Sequence, residues 1–270
     1  MPRRGVKLFT GTLMIRTALK TGRVTCAAMI VLAVAAWTPF RAYAGGFGAG
    51  DDDSDDAASR LIVMGDFNRD GVIDKAEATA AGDPTGTGML TVSLGRANGS
   101  FQQSASYPIP GHKPRSIAVG DVNGDGVPDV IVGDDDGTVV LFLADGKGSL
   151  APAAEIAHLQ SAASIAVADF NHDGRLDFAV ADWRSSSVTV FTGAGAGSFE
   201  RGWAFPLRMP GTSPHLSAAD FNGDGIADLA VVYDDDDGDT FDVMLGNGNA
   251  TFSLAPNLGL VRDPNSHCAT

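Results

Sequence analysis

The chain has 270 residues, of which 33 are acidic and 19 basic, so its formal net charge is −14 at pH 7. This excess of acid argues against a polyanion such as nucleic acid as a partner. The basic residues are concentrated at the start of the chain, which separates that segment from the rest.

Residues 1–44 have the features of a secretory signal peptide. They contain seven basic residues and no acid, an apolar run at 26–37, and Ala42 and Ala44 in the small-residue pattern that precedes cleavage. A membrane anchor is the alternative, but the apolar run is only about a dozen residues long, whereas a span needs roughly 20. We therefore expect cleavage after Ala44, a secreted or extracytoplasmic location, and no membrane span in the mature chain.

The mature chain is strongly acidic. Seven of the 19 basic residues and none of the 33 acids lie in the removed segment, which leaves 12 against 33, a formal charge of −21. Cys26 is removed as well, so Cys268 has no intramolecular partner. An exported domain without a disulfide needs another source of stability, and a divalent metal is a suitable one. Residues 45–59 are rich in Gly and Asp, which indicates a disordered leader.

The first motif, at 66–77, reads DFNRDGVIDKAE and matches the calcium loop of an EF-hand. The preceding RLIVMG is a short apolar run typical of a strand, whereas an EF-hand needs a helix there. The segment DKAEATAAG, at the end of the motif, is expected to form one or two helical turns.

The motif returns three times, which changes its interpretation. Copies begin at residues 121, 169 and 220, at spacings of 55, 48 and 51 residues, and read DVNGDGVPD, DFNHDGRLD and DFNGDGIAD. A glycine-rich signature follows each copy within about 30 residues, as SLGRANGSF, FLADGKGSL, FTGAGAGSF and MLGNGNATF. Because helices flank none of the later copies, the EF-hand interpretation is rejected for the first copy too.

The segments between these signatures alternate as strands do, for example SIAVGD and PDVIVG around the second loop. About 50 residues of four short strands with tight turns have the size and content of a propeller blade. We therefore predict an all-β fold, a β-propeller-type array of four four-stranded antiparallel blades. The predicted blades span 60–110, 111–161, 162–212 and 213–262, followed by a C-terminal tail at 263–270.

These motifs resemble the repeats of the FG-GAP and VCBS families, which build integrin-α-like β-propellers. The resemblance rests on the DxNxDGxxD loop between two strands and on the glycine-rich hairpin after it, and it covers roughly residues 60 to 262. It implies a role in adhesion or recognition. The Phe-Gly and Gly-Ala-Pro motifs that give the FG-GAP family its name are not recognisable in the repeats. The repeats are therefore more similar to those of the VCBS family.

Four blades reach only the lower limit for a closed propeller. The sequence shows no obvious strand exchange that would close a ring, so we predict an open arc, with a closed four-bladed ring as the alternative. An open arc exposes the outer faces of the first and last blades, which we expect to be apolar and to pair with a second copy or another chain. Cys268 is a candidate for an intermolecular disulfide.

The loops have the chemistry of calcium sites. Calcium takes six to eight oxygen ligands, and alternate positions of a tight loop direct side chains at one centre while the carbonyl of position 7 adds another oxygen. We expect about four Ca²⁺. The predicted ligands are Asp66, Asn68, Asp70, Val72, Asp74 and Glu77 in the first loop; Asp121, Asn123, Asp125, Val127 and Asp129 in the second; Asp169, Asn171, Asp173, Arg175 and Asp177 in the third; and Asp220, Asn222, Asp224, Ile226 and Asp228 in the fourth.

Glu77 has a second interpretation, because the other loops have valine at the twelfth position. It is either a bidentate ligand or a solvated side chain on a strand. The acid clusters at 134–136 and 234–239 are expected to be solvated turn tips, with weak calcium sites as the alternative. A packing role is favoured over a sugar-stacking patch for Trp183, Trp203 and Phe205.

The sequence favours a binding module over an enzyme. Its five histidines are scattered without metal-ligand spacing, and no nucleophile motif accompanies them. We expect an exported calcium-binding module that binds a protein or a glycan. The alternative is a structural spacer of a surface assembly with no ligand of its own, and convergence of aromatic and polar residues from different repeats on one face would favour binding.

Overall fold

The computed structural model describes residues 60–80, 87–111, 113–208, 212–234 and 240–255. The predicted signal peptide, leader and tail, and Cys268 with them, lie outside these residues. The described elements are all strands, and none of the described residues belongs to a helix long and apolar enough to cross a membrane.

Sixteen strands form four sheets. The strands of the first two sheets are β1 (Arg60–Gly65), β2 (Asp74–Thr79), β3 (Gly88–Gly95), β4 (Phe101–Ile109), β5 (Pro114–Gly120), β6 (Asp129–Asp134), β7 (Thr138–Phe142) and β8 (Ala154–His158). Those of the last two sheets are β9 (Ser164–Ala168), β10 (Asp177–Asp182), β11 (Ser187–Gly195), β12 (Ser198–Pro206), β13 (Ser213–Ala219), β14 (Asp228–Asp234), β15 (Thr240–Gly246) and β16 (Phe252–Leu254). Each sheet is an antiparallel meander in which neighbouring strands follow one another in the chain.

The segment after the first loop is a strand, so the expected helical turns there are wrong. β2 pairs with β1 and with β3. Asp74, Ala76 and Ala78 are buried, while Lys75 and Glu77 alternate with them on the opposite face. Lys, Glu and Ala favour a helix locally, but pairing on both sides and period-two burial decide the conformation. The first unit therefore has the same strand-loop-strand arrangement as the other three.

The middle sheets are buried on both faces because each one packs between two others. All residues of β6 and of β10 are buried. One hydrophobic core joins the first and second sheets, another joins the second and third, and another joins the third and fourth. These cores contain, in the same order, Leu90 and Phe142, Ile131 and Phe178, and Val190 and Leu229.

The sheets succeed one another without closing. Strand contacts between sheets run from β1 to β5, from β5 to β9 and from β9 to β13. Within the described ranges, no hydrophobic core joins the fourth sheet to the first. The fold is therefore all-β, with four four-stranded sheets in an open β-propeller-like arc, and no sheet closes into a barrel.

The two end faces of the arc differ in polarity. On the first sheet Ile62 and Met64 are exposed, but their cross-strand partners are Glu77 and Lys75, which form an ion pair of 2.7 Å. The outer face of the first sheet is therefore mixed in polarity, whereas an apolar face was expected. On the side away from the third sheet, the fourth sheet has an apolar cluster of Ala230, Val243 and Ala255, with Phe221, Phe241 and Leu245 packed against it. The first three are at most 9% exposed, so this cluster is buried and is not the exposed apolar face that was expected.

Candidate metal-binding loops

Each loop joins the first strand of its sheet to the second, so the four loops lie at the same end of their sheets. We call residues 66–74, 121–129, 169–177 and 220–228 loops 1 to 4 and number their positions from 1 to 9. The glycine at position 6 has a positive φ in every loop, between 82° and 87°. A residue with a side chain adopts this conformation only at a cost, so glycine is required for the shared turn.

The aspartate at position 1 organises the turn. In loop 2, Oδ1 of Asp121 accepts hydrogen bonds from the N–H groups of Gly124 (2.8 Å) and Asp125 (3.0 Å), and Oδ2 accepts one from Gly126 (2.8 Å). The bonds to positions 5 and 6 recur in the other loops. A carboxylate has about four acceptor sites, so the side chain is fixed inside the turn with acceptor capacity to spare.

The side chains at positions 3 and 5 bind each other. Asn123 donates from Nδ2 to Oδ2 of Asp125 (3.0 Å), and its Oδ1 accepts the N–H of Asp125 (2.8 Å). Oδ1 of Asp125 accepts the N–H of Val127 (2.8 Å). The same three contacts occur in loops 1, 3 and 4. The backbone turn itself therefore orients the oxygens of positions 1, 3 and 5.

The aspartate at position 9 ties the loop to the third strand of its sheet. In loop 3, Oδ2 of Asp177 accepts the N–H of Phe170 (2.9 Å), and Oδ1 accepts the N–H of Gly193 (2.7 Å). Equivalent bonds are made in the other loops, and all four side chains are 0% exposed. Sequence reasoning assigned these aspartates only as ligands and missed this structural role.

The donor on the third strand always comes from the glycine-rich signature. It is the third residue of that signature in each unit: Gly95, Ala144, Gly193 and Gly246. One hydrogen bond thus joins the two signatures of a unit in space. Their constant order along the chain was the available signal for this contact.

Burial raises the pKa of Asp129 and that of Asp177 to about 6, and it also raises the pKa of Asp74 and of Asp228. Backbone hydrogen bonds act in the opposite direction, but neighbouring loop carboxylates raise the pKa further, as Asp125 does for Asp129. The carboxylates of one loop are therefore close enough to repel one another. A bound cation would relieve this repulsion.

The donor set of each loop fits calcium. Three carboxylates, one amide oxygen and the carbonyl of position 7 are the hard oxygen ligands that calcium takes. Among the described residues, no group of three or more His, Cys, Asp or Glu side chains is arranged so that it could hold a metal ion. Hydrogen bonds orient the side chains of positions 1, 3 and 5 within each loop, and metal binding by positions 1 to 9 stays a prediction.

Glu77 follows loop 1 on the second strand and forms two ion pairs. It lies on β2, three residues beyond Asp74, and its carboxylate contacts Lys75 at 2.7 Å and Arg60 at 3.5 Å. The side chain is 14% exposed and held in these two ion pairs, so it is not a freely solvated group, and its role as a calcium ligand stays a prediction. The buried valines at the same position of the other loops, Val132, Val180 and Val231, occupy second strands as well.

The acid cluster at 134–136 is more ordered than a solvated turn tip. Asp134 is buried and accepts the N–H of Lys113 at 3.0 Å. Asp135 pairs with Arg184 of the third sheet at 3.1 Å. The expectation of solvation is therefore wrong for these two residues, which connect neighbouring segments. The side chains of 234–239 lie outside the described part of the chain.

Aromatic residues of two repeats converge, but mostly inside the protein. Phe205 of β12 and Phe252 of β16 belong to the core between the third and fourth sheets, and each is 6% exposed. Trp203 covers this core at its edge, 5.0 Å from Phe205 between ring centroids. Trp183 contacts the guanidinium of Arg184 instead, at 5.2 Å.

The sequence profile of the FG-GAP-like repeat matches residues 66–132, 121–180 and 169–231. Together these matches cover more than half of the chain, and each runs from position 1 of one loop to the strand after the next loop. The chain belongs to the FG-GAP-like repeat family. FG-GAP repeats suggest a β-propeller-like module for recognition or adhesion and are typically not enzymes. No curated protein matches the chain.

A surface groove of about 310 Å³ lies beside loop 1 of this FG-GAP-like chain. It is lined by Asn68 and Asp70 of the loop and by Arg96, Gln102 and Gln103 of the β3–β4 hairpin. These side chains offer both donors and acceptors of hydrogen bonds. Sequence reasoning missed the groove, because only the pairing of the sheet brings the hairpin next to the loop.

Proposed function

We propose that this FG-GAP-like chain is an exported calcium-binding module that binds a protein or a glycan in adhesion or recognition. The observation that carries the proposal is the fourfold repetition of one loop framework, with oriented oxygens at positions 1, 3 and 5 and a buried carboxylate at position 9. The proposal of export to a secreted or extracytoplasmic location is supported by the signal-like features of residues 1–44.

Calcium would be held in each loop by the side chains of positions 1, 3, 5 and 9 and by the carbonyl of position 7. It would supply positive charge to carboxylates that otherwise repel one another. Extracellular modules bind calcium with a Kd of about 10⁻⁴ to 10⁻³ M, which is the range that we propose. Calorimetric titration of the mature chain is expected to show about four sites. No heat at millimolar calcium would overturn the proposal.

The groove beside loop 1 is the proposed contact for the partner. Asn68 and Asp70 belong both to the groove and to the predicted calcium ligands, so a metal in loop 1 would fix one wall of the groove. A glycan array probed with the mature chain in calcium and in EDTA tests this idea. Binding is expected only in calcium, and Gln103→Ala is expected to weaken it. Asp224→Ala in loop 4 is the control and is expected to leave it intact.

A structural spacer is the second candidate. It is favoured by the burial of Phe205 and Phe252, which leaves Trp203 and Trp183 as separate exposed rings and not as one aromatic platform. A spacer would bind calcium through the same loops but would bind no glycan or protein in either condition. The array therefore separates the two candidates, while calorimetry tests the calcium that they share.

A further inference from the structure

The carboxylates at position 5 divide the loops into two pairs. An arginine contacts this carboxylate in loop 2, where Arg69 reaches Asp125, and in loop 3, where Arg175 reaches Asp173. Within the described part of the chain, no ion pair involves Asp70 of loop 1 or its loop 4 counterpart. The backbone frameworks of the four loops are alike, so the difference lies in these two side chains.

Arg175 acts within its own loop. It occupies position 7, and its Nη2 lies 2.7 Å from Oδ2 of Asp173. Its Nε donates to the carbonyl of Gly193 at 2.9 Å, which holds the guanidinium in place. The residue whose carbonyl would bind calcium thus also presents a cation to a carboxylate of the same site.

Arg69 acts between loops. It occupies position 4 of loop 1 with a φ of 60°, and its guanidinium lies 3.4 Å from Oδ1 of Asp125. It also donates to the backbone carbonyl of Asp125. A side chain of the first sheet therefore places a positive charge on the position-5 residue of loop 2.

We propose that Arg69 and Arg175 are tethered cations that lower the calcium affinity of loops 2 and 3. The inference rests on the proposed calcium binding. Calcium must either displace the guanidinium from the carboxylate or bind beside a positive charge. Both make calcium binding less favourable. Without metal, the same arginines offset the repulsion among the loop carboxylates. The four sites therefore do not respond alike to calcium concentration.

Calcium titration of charge-neutralised variants tests this inference. Arg69→Gln and Arg175→Gln are each expected to tighten one site about three- to tenfold, the scale of an exposed ion pair plus the repulsion removed. Arg184→Gln is the matched control, since Arg184 is 40% exposed and pairs with Asp135 outside the loops. It is expected to change affinity less than about twofold. Arg175→Lys retains the charge and is expected to stay close to the unmodified chain.

Combining Arg175→Gln with a variant that lacks the loop 3 site assigns the change in affinity to that site. In an Asp173→Ala chain the loop 3 site is lost, so adding Arg175→Gln is expected to give no further gain. Calorimetry with near-ultraviolet circular dichroism reports both affinity and fold. A gain from Arg184→Gln equal to that of the loop arginines, or unchanged affinities in a chain that does bind calcium, overturns this inference alone. An unmodified chain that binds no calcium overturns the proposed function as well.

Discussion

Replacing Asp224 by alanine is expected to remove one calcium equivalent at little cost to the metal-free protein. Asp224 is exposed, and its carboxylate accepts one bond from the N–H of Ile226 and one from Nδ2 of Asn222, each of 2.8 Å. Exposed hydrogen bonds contribute little, so the loss of stability in EDTA is expected to be about 1 kcal/mol. The buried Asp228 remains and keeps the loop attached to its sheet.

The effect in calcium is larger, because a ligand that binds only the folded state stabilises it. At 10 mM calcium, one site with a Kd of about 10⁻³ to 10⁻⁴ M adds about 1.4 to 2.7 kcal/mol. For a domain of this size, 1 kcal/mol shifts the Tm by about 2–4 °C. The rise in Tm on adding calcium should therefore be about 3–11 °C smaller in Asp224→Ala than in the unmodified chain.

Thermal melts of both chains in EDTA and in calcium measure this difference. Asp145→Ala is the control, since Asp145 is exposed and accepts the N–H groups of Lys147 (2.8 Å) and Ser149 (3.0 Å) in a similar turn outside the loops. It is expected to lower the Tm equally in both conditions. A full calcium shift in Asp224→Ala, or an equal deficit in Asp145→Ala, would refute the ligand assignment.

Three further predictions concern pH, packing and assembly. In EDTA, the free energy of unfolding should rise as the pH falls from 7 to 5: the pKa of Asp129 and of Asp177 is raised to about 6 in the folded chain, so the folded state binds more protons in this window. Urea melts at both pH values check this, and lower stability at pH 5 contradicts it. Phe178→Ala should lose about 3–5 kcal/mol in urea melts, because the 0% exposed ring lies 4.7 Å from Phe191, whereas Trp203→Ala at the edge should lose less. Self-association of the open arc should appear in light scattering as a mass that rises with concentration, and a monomer at every concentration would exclude it.

The strands and loops were predictable because their signals are local and repeated. The spacing of Asp121, Asn123 and Asp125 defines a turn without reference to the rest of the chain, and four copies make chance improbable. The strand at β2 was not predictable in this way, because its residues favour a helix until β1 and β3 pair with it.

The missed parts of the site depend on contacts between distant residues. The hydrogen bond that ties the position-9 aspartate to the third strand needs a distant donor. For Asp177 this donor is the N–H of Gly193, 16 residues away. The contact of Arg69 with Asp125 spans 56 residues and two sheets. The local sequence around Arg69 gives no indication of this partner, since only the packing of the first sheet on the second brings them together.

The hydrogen bond from the third strand to the aspartate at position 9 determines the shortest segment that keeps all backbone donors of a loop when the loop is moved to another scaffold. A loop moved into another scaffold without its hairpin would bring a carboxylate that needs a second donor and finds none. In the first repeat the shortest segment with both partners runs from Asp66 to Gly95. A fragment that separates the loop from its hairpin leaves the position-9 carboxylate with one of its two backbone donors, so the two signatures fold as one unit.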